Sequence, residues 1–243
     1  AGLSCGMKGV DFHCHILPGL DDGSPNAETS VRMLELLAAD GVQTVFLTPH
    51  YYAHREALDA FLGRRQAAYR VLCDAVRGRN LPELRLGAEV HYADVLRDFD
   101  LSSLVLEGTD LLLLELPFEK FHTVQYNRFN NLISGCSCRI LLAHLERYFA
   151  LNKPEDLFSF AQYNDALWHV SCSAFFQGGF FEKRRLLRLT RAGMFPLMGT
   201  DAHNMTDRKP EFGRAETYLR KHAGDEVVDR MLDLSETLLS PSD

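Results

Sequence analysis

Short apolar runs recur along this chain, and between them apolar residues fall at helical spacing. Residues 10–15 read as a strand. Ser24-Pro25 then predicts a helix start, with a capping hydroxyl and proline at the first helical position. Val31, Leu34, Leu37 and Ala38 form one stripe, and Gly41 suits the exit. Residues 44–48, TVFLT, predict the second strand. A helix over about 57–77 follows, with Leu58, Phe61, Leu62, Ala68, Tyr69, Leu72 and Val76 inward. Five more strands are expected at 84–89, 110–116, 139–144, 166–171 and 195–200. Helices are expected at 124–134 and 181–192, and two more finish the chain. Seven apolar strands alternating with helices predict an α/β fold whose parallel sheet is covered on both faces, and the count suits a barrel.

The polar residues fall where these strands end. Strand one carries His13 and His15, strand two runs into His50, and strand three ends at Glu89. Strand four carries Glu115, strand five ends at His144, and Asp201 and His203 follow strand seven. Strand six, ending Ser171-Cys172-Ser173, is the exception. Chemistry in α/β barrels sits at the C-terminal strand ends. Alternation along a strand puts His13 and His15 on one side and Cys14 on the other. One such histidine alone is more often structural than ligating. Six strand ends sharing ligand-type side chains are not explained by core packing, because burying that many ionisable groups without a cation is costly. Asp22 completes a set of nine candidate ligands, with Asp21 expected to orient the loop. Imidazole and carboxylate without an obligatory thiolate favour Mn²⁺, Zn²⁺ or Fe²⁺, and nine ligands suffice for two or three ions. Arg147 and Arg208 leave the same mouth on loops, three residues after His144 and five after His203. An arginine fork matches phosphate oxygens, so both are candidate phosphate ligands.

Composition narrows the classes. The chain has 243 residues, enough for one barrel. Its formal net charge of −7 argues against a general nucleic-acid binder. No apolar run reaches the ~20 residues of a membrane span. Residues 1–9 lack the apolar core of a signal peptide and read as an N-terminal extension to a single domain over 10–243, with Met7 a candidate native start. The cysteines Cys5, Cys14, Cys73, Cys136, Cys138 and Cys172 form no regular framework and predict reduced thiols of a cytoplasmic protein; Cys136 and Cys138 are expected to be buried thiols, with metal binding or pairing the alternative.

A cysteine-dependent phosphatase needs an activated thiolate in a C-x₅-R loop. Leu20 stands where arginine would follow Cys14, whereas Cys73 and Arg79 match; Cys73, however, lies in a strong helical pattern. The alternative expected is water activated by the cations and attacking phosphorus in line, with Glu89 bridging two ions. His54 and His91 are expected in ordinary loops, or at the substrate mouth. His122, His169 and His222 are expected to be structural or solvent-facing, and Trp168 to be core. Phe175, Phe176, Phe180 and Phe181 flank Gly178-Gly179; loop packing is the default, a substrate rim or subunit contact the alternative.

The motifs together resemble the PHP (polymerase and histidinol phosphatase) superfamily: His-x-His, a downstream Asp, Pro-His, two Glu, a His and a final Asp-x-His. DFHCHILPGLDDGS, TPHYY, GAEVHYAD, LLLLELP, AHLERY and GTDAHN look like the manganese-dependent protein-tyrosine phosphatases of bacterial capsule and exopolysaccharide loci. The likeness runs from about Val10 to Arg208. It implies a distorted (β/α)7 barrel and a trinuclear metal site held by the nine residues above. It implies Mn²⁺, with Fe, Zn, Co or Mg as alternatives, and Arg147 and Arg208 on phosphate. It also implies a partner, the tyrosine-rich C-terminal tail of a bacterial autophosphorylating tyrosine kinase. A homo-oligomer is compatible with it; a histidinol phosphatase-like or other phosphomonoesterase is the alternative activity. Leu145 stands where that family usually has proline, and residues 172–181 and the C-terminal end look less typical.

Overall fold

The computed structural model describes residues 9–239, so the expectations on Cys5 and Met7 lie outside the described residues. In chain order the elements are β1 (Gly9–Cys14), α1 (Ala27–Ala39), β2 (Val42–Leu47), β3 (His50–Tyr51), α2 (Leu58–Val76), β4 (Glu83–Leu86), β5 (Glu89–His91) and β6 (Leu111–Glu115). They continue with α3 (Thr123–Ile133), β7 (Arg139–Leu142), α4 (Pro154–Tyr163), β8 (Leu167–Ser171), α5 (Phe180–Arg191), β9 (Leu197–Gly199), α6 (Phe212–Ala223) and α7 (Asp225–Thr237). Gly9 already belongs to β1, one residue earlier than the expected domain start. Among the described residues, no helix is long and apolar enough to cross a membrane.

Every strand pair is parallel. One sheet runs β1-β2-β4, the other β3-β5-β6-β7-β8-β9. The third expected strand is therefore broken in two at Gly87-Ala88, and the second is followed, after Thr48-Pro49, by the short β3. Past β9 the chain returns to β1: Asp201 N donates to His13 O at 2.7 Å and His15 N to Ala202 O at 2.8 Å. The result is an α/β fold on a curved parallel sheet whose last strand lies beside its first.

Side-chain alternation sorts the sheet into two faces. Phe46, Leu111, Leu113, Leu141 and Leu197 meet Val10 and Phe12 in an inner cluster. Val45, Leu47, Leu112, Leu114, Ile140 and Leu142 face outward, where Leu34 and Leu37 of α1 and Phe61 of α2 join their cluster. Full burial of one such side chain is worth roughly 1.5–3 kcal/mol.

Two expectations about helices need correction. Asn26, not Ser24, caps α1, its side chain accepting from Thr29 N at 2.9 Å. Ser24 is buried instead, 2.8 Å from the Ser30 hydroxyl, so it fastens the preceding loop to the helix. Helix α4 was not expected, although Pro154 stands in its first turn with Glu155 and Asp156. Within α2, Phe61 and Leu72 are buried as expected, but Arg65 is buried with them, donating to Gly87 O and Ser103 O at 2.7 and 2.9 Å.

Candidate metal centre

Three local devices aim side chains at the mouth of the inner face. The first is plain alternation: Leu111, Leu113 and Glu115 share one side of β6, and Asp201 continues the side of Leu197. The second is a bulge in β1. Asp11 pairs with Val45 but Cys14 with Leu47, so β1 spends three residues against two. The extra residue flips the parity. Val10 and Phe12 point into the inner cluster, Cys14 leaves for the outer one, and His13 and His15 turn inward. The third is a left-handed backbone at His144 (φ 33°) and at Asp201 (φ 52°), uncommon for residues with a Cβ and concentrated at functional sites. After β7, the turn at His144 brings its ring to Glu89, Nε2 to Oε1 at 2.9 Å.

All nine candidate ligands are brought together. Their donor atoms form four overlapping groups: His15, Asp22, His50 and His203; His13, His15 and Asp201; His13, Glu89 and His144; His50, Glu89 and Glu115. Within each, the atoms lie within 4.8 Å of one another. Metal–ligand bonds of roughly 2.0–2.2 Å span such a separation. Glu89 is central and buried, its Oε2 lying 2.8 Å from His50 Nδ1, 3.2 Å from His13 Nε2 and 3.3 Å from His15 Nε2. None of these contacts has hydrogen-bond direction, so the buried Oε2 has no partner in that sense. Asp22 is the outlying member, exposed at the rim and 3.4–3.5 Å from His50 and His203.

The rings are held from behind. His15 Nδ1 donates to Asp21 Oδ2 at 2.8 Å, and His203 Nδ1 donates to the Asp201 carbonyl at 2.9 Å. His13 Nδ1 lies 3.0 Å from His169 Nε2, which also faces the His144 amide at 3.4 Å. A ring nitrogen facing a backbone N–H is an acceptor, so His13 Nδ1 carries the proton there. These tautomers are assigned from the network. In all three rings the Nε2 lone pair is left facing inward, as metal-ligating histidines require. His203 Nε2 is buried and has no hydrogen-bond partner, while His13 and His15 face each other, Nε2 to Nε2, at 3.0 Å. Lone pairs converging on one space fit a shared cation better than they fit one another.

Around His15 and Asp201 the surrounding charges favour positive charge in the pocket. Burial opposes charge on His15, but the Asp21 and Glu89 carboxylates outweigh it and push the ring up to about 10. Burial likewise raises Asp201, yet His13 and Arg147 hold its carboxyl well below the usual range. The His203 ring, by contrast, is pushed down to about 4 by burial and by His15. Arg147 and Arg208 both turn onto Asp201. Arg147 pairs with Oδ2, and Arg208 Nη2 lies 2.9 and 2.8 Å from the two oxygens. The Arg208 loop is tied down by Asn204, whose Oδ1 accepts from the amides of Thr206, Asp207 and Arg208 at 2.9–3.1 Å. Leu145, in place of the expected proline, is buried and opens the 3₁₀ turn that carries Arg147.

Supporting residues add roles beyond those the sequence reading named. Asp21 does orient the loop, and it also accepts from His50 N at 3.0 Å. His169 is fully buried beside His13; the side of β8 that Leu167 shares with the inner cluster was the signal. His91 is the last residue of β5 and holds Glu115, Nδ1 to Oε2 at 2.9 Å. Asp11 ties β1 to the end of β9, accepting from Thr200 N at 2.8 Å and Thr200 Oγ1 at 2.5 Å. Elsewhere, His54 and His122 are exposed, His222 lies against Tyr218, and Trp168 is in the core.

The thiols are free at Cys14, Cys73, Cys136, Cys138 and Cys172. Cys136 and Cys138 are only partly buried, because they sit in the turn between α3 and β7 rather than inside it. Burial pushes the Cys14 thiol well above its ordinary range, away from the thiolate. Cys73 lies within α2, and Arg79 is 2.9 Å from Glu35 at the surface, so the C-x₅-R match forms no loop around a phosphate.

Comparison with known proteins follows the same lines. The model of the family described as capsular polysaccharide synthesis, CpsB/CapC, matches residues 9–238. The tyrosine-protein phosphatase YwqE of Bacillus subtilis (strain 168) is 27% identical over 241 residues, covering 95% of this chain and 91% of that protein. The tyrosine-protein phosphatase CpsB of Streptococcus pneumoniae is 26% identical over 231 residues, covering 88% and 91%. A crystal structure from work on YwqE and CpsB, described as unique metal-dependent tyrosine phosphatases, superposes with a TM-score of 0.78 at 25% identity, covering 97% of this chain and 100% of that one. A chain of archaeal ribonuclease P shares the fold alone, with a TM-score of 0.55 at 12% identity over 86% of this chain and 85% of that one. With its histidines, carboxylates and strand ends accounted for, the chain belongs to the CpsB/CapC family of capsular polysaccharide synthesis.

Proposed function

We propose that this protein is a metal-dependent protein-tyrosine phosphatase. Its substrate would be the phosphorylated C-terminal tail of a bacterial tyrosine autokinase controlling capsule or exopolysaccharide synthesis. The observation that carries the reading is the pairing of inward-facing ring nitrogens around Glu89 with two arginines converging on Asp201. Family membership and relatives named as tyrosine-protein phosphatases support it. Cytoplasmic residence belongs to the same reading. So does the fold: with β2 and β3 counted as one interrupted strand and β4 and β5 as another, seven strands make a distorted (β/α)7 barrel of the PHP type.

His13, His15, Asp22, His50, Glu89, Glu115, His144, Asp201 and His203 would hold two or three ions, with Glu89 shared between them. Their imidazole and carboxylate donors suit Mn²⁺, with Fe, Zn, Co and Mg as alternatives. Bound cations supply a Lewis-acid field that acidifies water and offsets phosphoryl charge. Arg147 and Arg208 bind the phosphoryl oxygens in fork geometry and stabilise the charge that develops during in-line transfer. Asp21, His169 and the Asp201 carbonyl keep the rings in the tautomer that presents Nε2. Tyrosine leaves as a phenolate, the conjugate base of a phenol of pKa near 10, and so asks little of a general acid.

Initial rates of Mn²⁺-loaded protein on a phosphotyrosine peptide, a phosphoserine peptide and histidinol phosphate test this reading. Phosphotyrosine is expected to be hydrolysed fastest. A preference for histidinol phosphate would make the protein another phosphomonoesterase on the same metal site.

A further inference from the structure

A large cleft lies away from the nine candidate metal ligands. It opens between α5 and α6 and encloses about 1170 Å³, ample for several side chains of a bound peptide. Its floor is aromatic. Phe175 is buried, Phe176 half-buried, and Tyr218 lies across both at 6.1 and 5.8 Å. Its walls are basic, in a chain of net charge −7. Of the cations on α5, Lys183 and Arg184 line the cleft, and the helix has a single acid, Glu182, which caps it through Gly179 N at 2.7 Å.

Some of the surrounding charge is already spent within the fold. Arg220 pairs with Glu216 and Asp229, each at 2.8 Å, and Asp40 accepts from Gly213 N at 2.8 Å. Arg214 pairs with Glu211 and lies over the Phe176 ring at 3.9 Å. Lys183 and Arg184 on one wall and Lys221 on the other have no ion pair among the described residues. Phe180 stands at the lip, 68% exposed.

The cleft is joined to the metal centre by the segment 172–179. Phe175 and Phe176 line the cleft, while Ser173, Ala174, Gln177 and Gly178 line a smaller cavity of about 240 Å³ that Arg147 also borders. We propose that the α5–α6 cleft docks an acidic, tyrosine-containing segment of the polypeptide substrate, apart from the phosphotyrosine being hydrolysed. The proposal rests on the protein-tyrosine phosphatase reading. Unpaired cations facing each other across an aromatic floor complement acidic side chains interleaved with aromatic ones. The surface is concave, which suits a chain rather than the plane of a bilayer.

Two peptides sharing one phosphotyrosine core test it, one of them extended by glutamate, aspartate and unphosphorylated tyrosine. The extended peptide is expected to show the lower KM with wild-type protein. The triple variant Lys183→Glu, Arg184→Glu, Lys221→Glu is expected to lose about tenfold in kcat/KM on the extended peptide, through KM, and to leave the core peptide unchanged. Fluorescence anisotropy of the extended peptide in unphosphorylated form reads the same docking without turnover. Equal KM for both peptides with no anisotropy change overturns the cleft while leaving the phosphatase standing. Binding of the unphosphorylated peptide without hydrolysis of either substrate overturns the phosphatase reading instead. Loss on both peptides alike overturns the proposal, as does a triple variant that loses only binding to anionic phosphatidylglycerol vesicles or only self-association.

Discussion

At the scale of the residue, the centre is organised from behind as much as from within. Asp21 and His169 are not among the nine candidate ligands, yet each fixes the tautomer of a ring that is. Outer hydrogen bonds of this kind are typically worth 10- to 100-fold in metal affinity. Asp21→Asn and His169→Phe are therefore each expected to weaken Mn²⁺ binding by about that factor, read by calorimetric titration of stripped protein. Unchanged affinity in both would remove the tautomer argument. Asp11 provides a pH dependence of its own. Burial pushes its carboxyl from 3.8 up to about 6, against hydrogen bonds from Thr200 and His13. A raised folded value means that the protonated form is favoured in the fold. The stability it adds is fully present below its unfolded value and is lost as pH rises through about 6. The stability difference between wild type and Asp11→Asn, from denaturant melts in chelator, is expected to shift by roughly 3 kcal/mol across that window in this sense. A constant difference would contradict it. The candidate ligands were legible because they sit at strand ends. Of their supporters Asp21 was legible too, but Asp11 and His169 were not, because they sit inside strands, where polar residues read as structural.

At the scale of the element, the sequence pattern named most strands and helices but missed how strands are bent to serve the site. Apolar alternation located β1, yet the bulge that turns His13 and His15 inward leaves no trace in hydrophobicity. The break between β4 and β5 was hidden for a similar reason, since Leu84, Leu86, Ala88 and Val90 alternate smoothly across it. The closing approach of β9 to β1 depends on Gly199. A Cβ there would stand 2.9 Å from His13 Cβ and 3.1 Å from His169 Cε1. Overpacking of this kind costs about 1–3 kcal/mol. Gly199→Ala is expected to lower the unfolding free energy by that amount in denaturant melts and to weaken Mn²⁺ binding, because His13 must move. Wild-type stability with wild-type affinity would show that the two strands have slack.

At the scale of the whole molecule, the sheet brings residue 13 beside residue 201, and residue 89 beside residue 144, so the centre exists only once the fold has closed. The alternation of apolar strands with helices was legible in the sequence; the order in which the strands pair was not. Nor was the basic cleft, because it depends on which faces of α5 and α6 meet. Its cations read in sequence as ordinary solvated helix charge. The central claim is that this His and carboxylate centre, and no cysteine, hydrolyses phosphotyrosine. Phosphate release from a phosphotyrosine peptide, measured on chelator-stripped protein before and after Mn²⁺ is restored, tests it most directly. The account predicts negligible release from the stripped protein and recovery with Mn²⁺; full activity in the stripped, folded protein would contradict it.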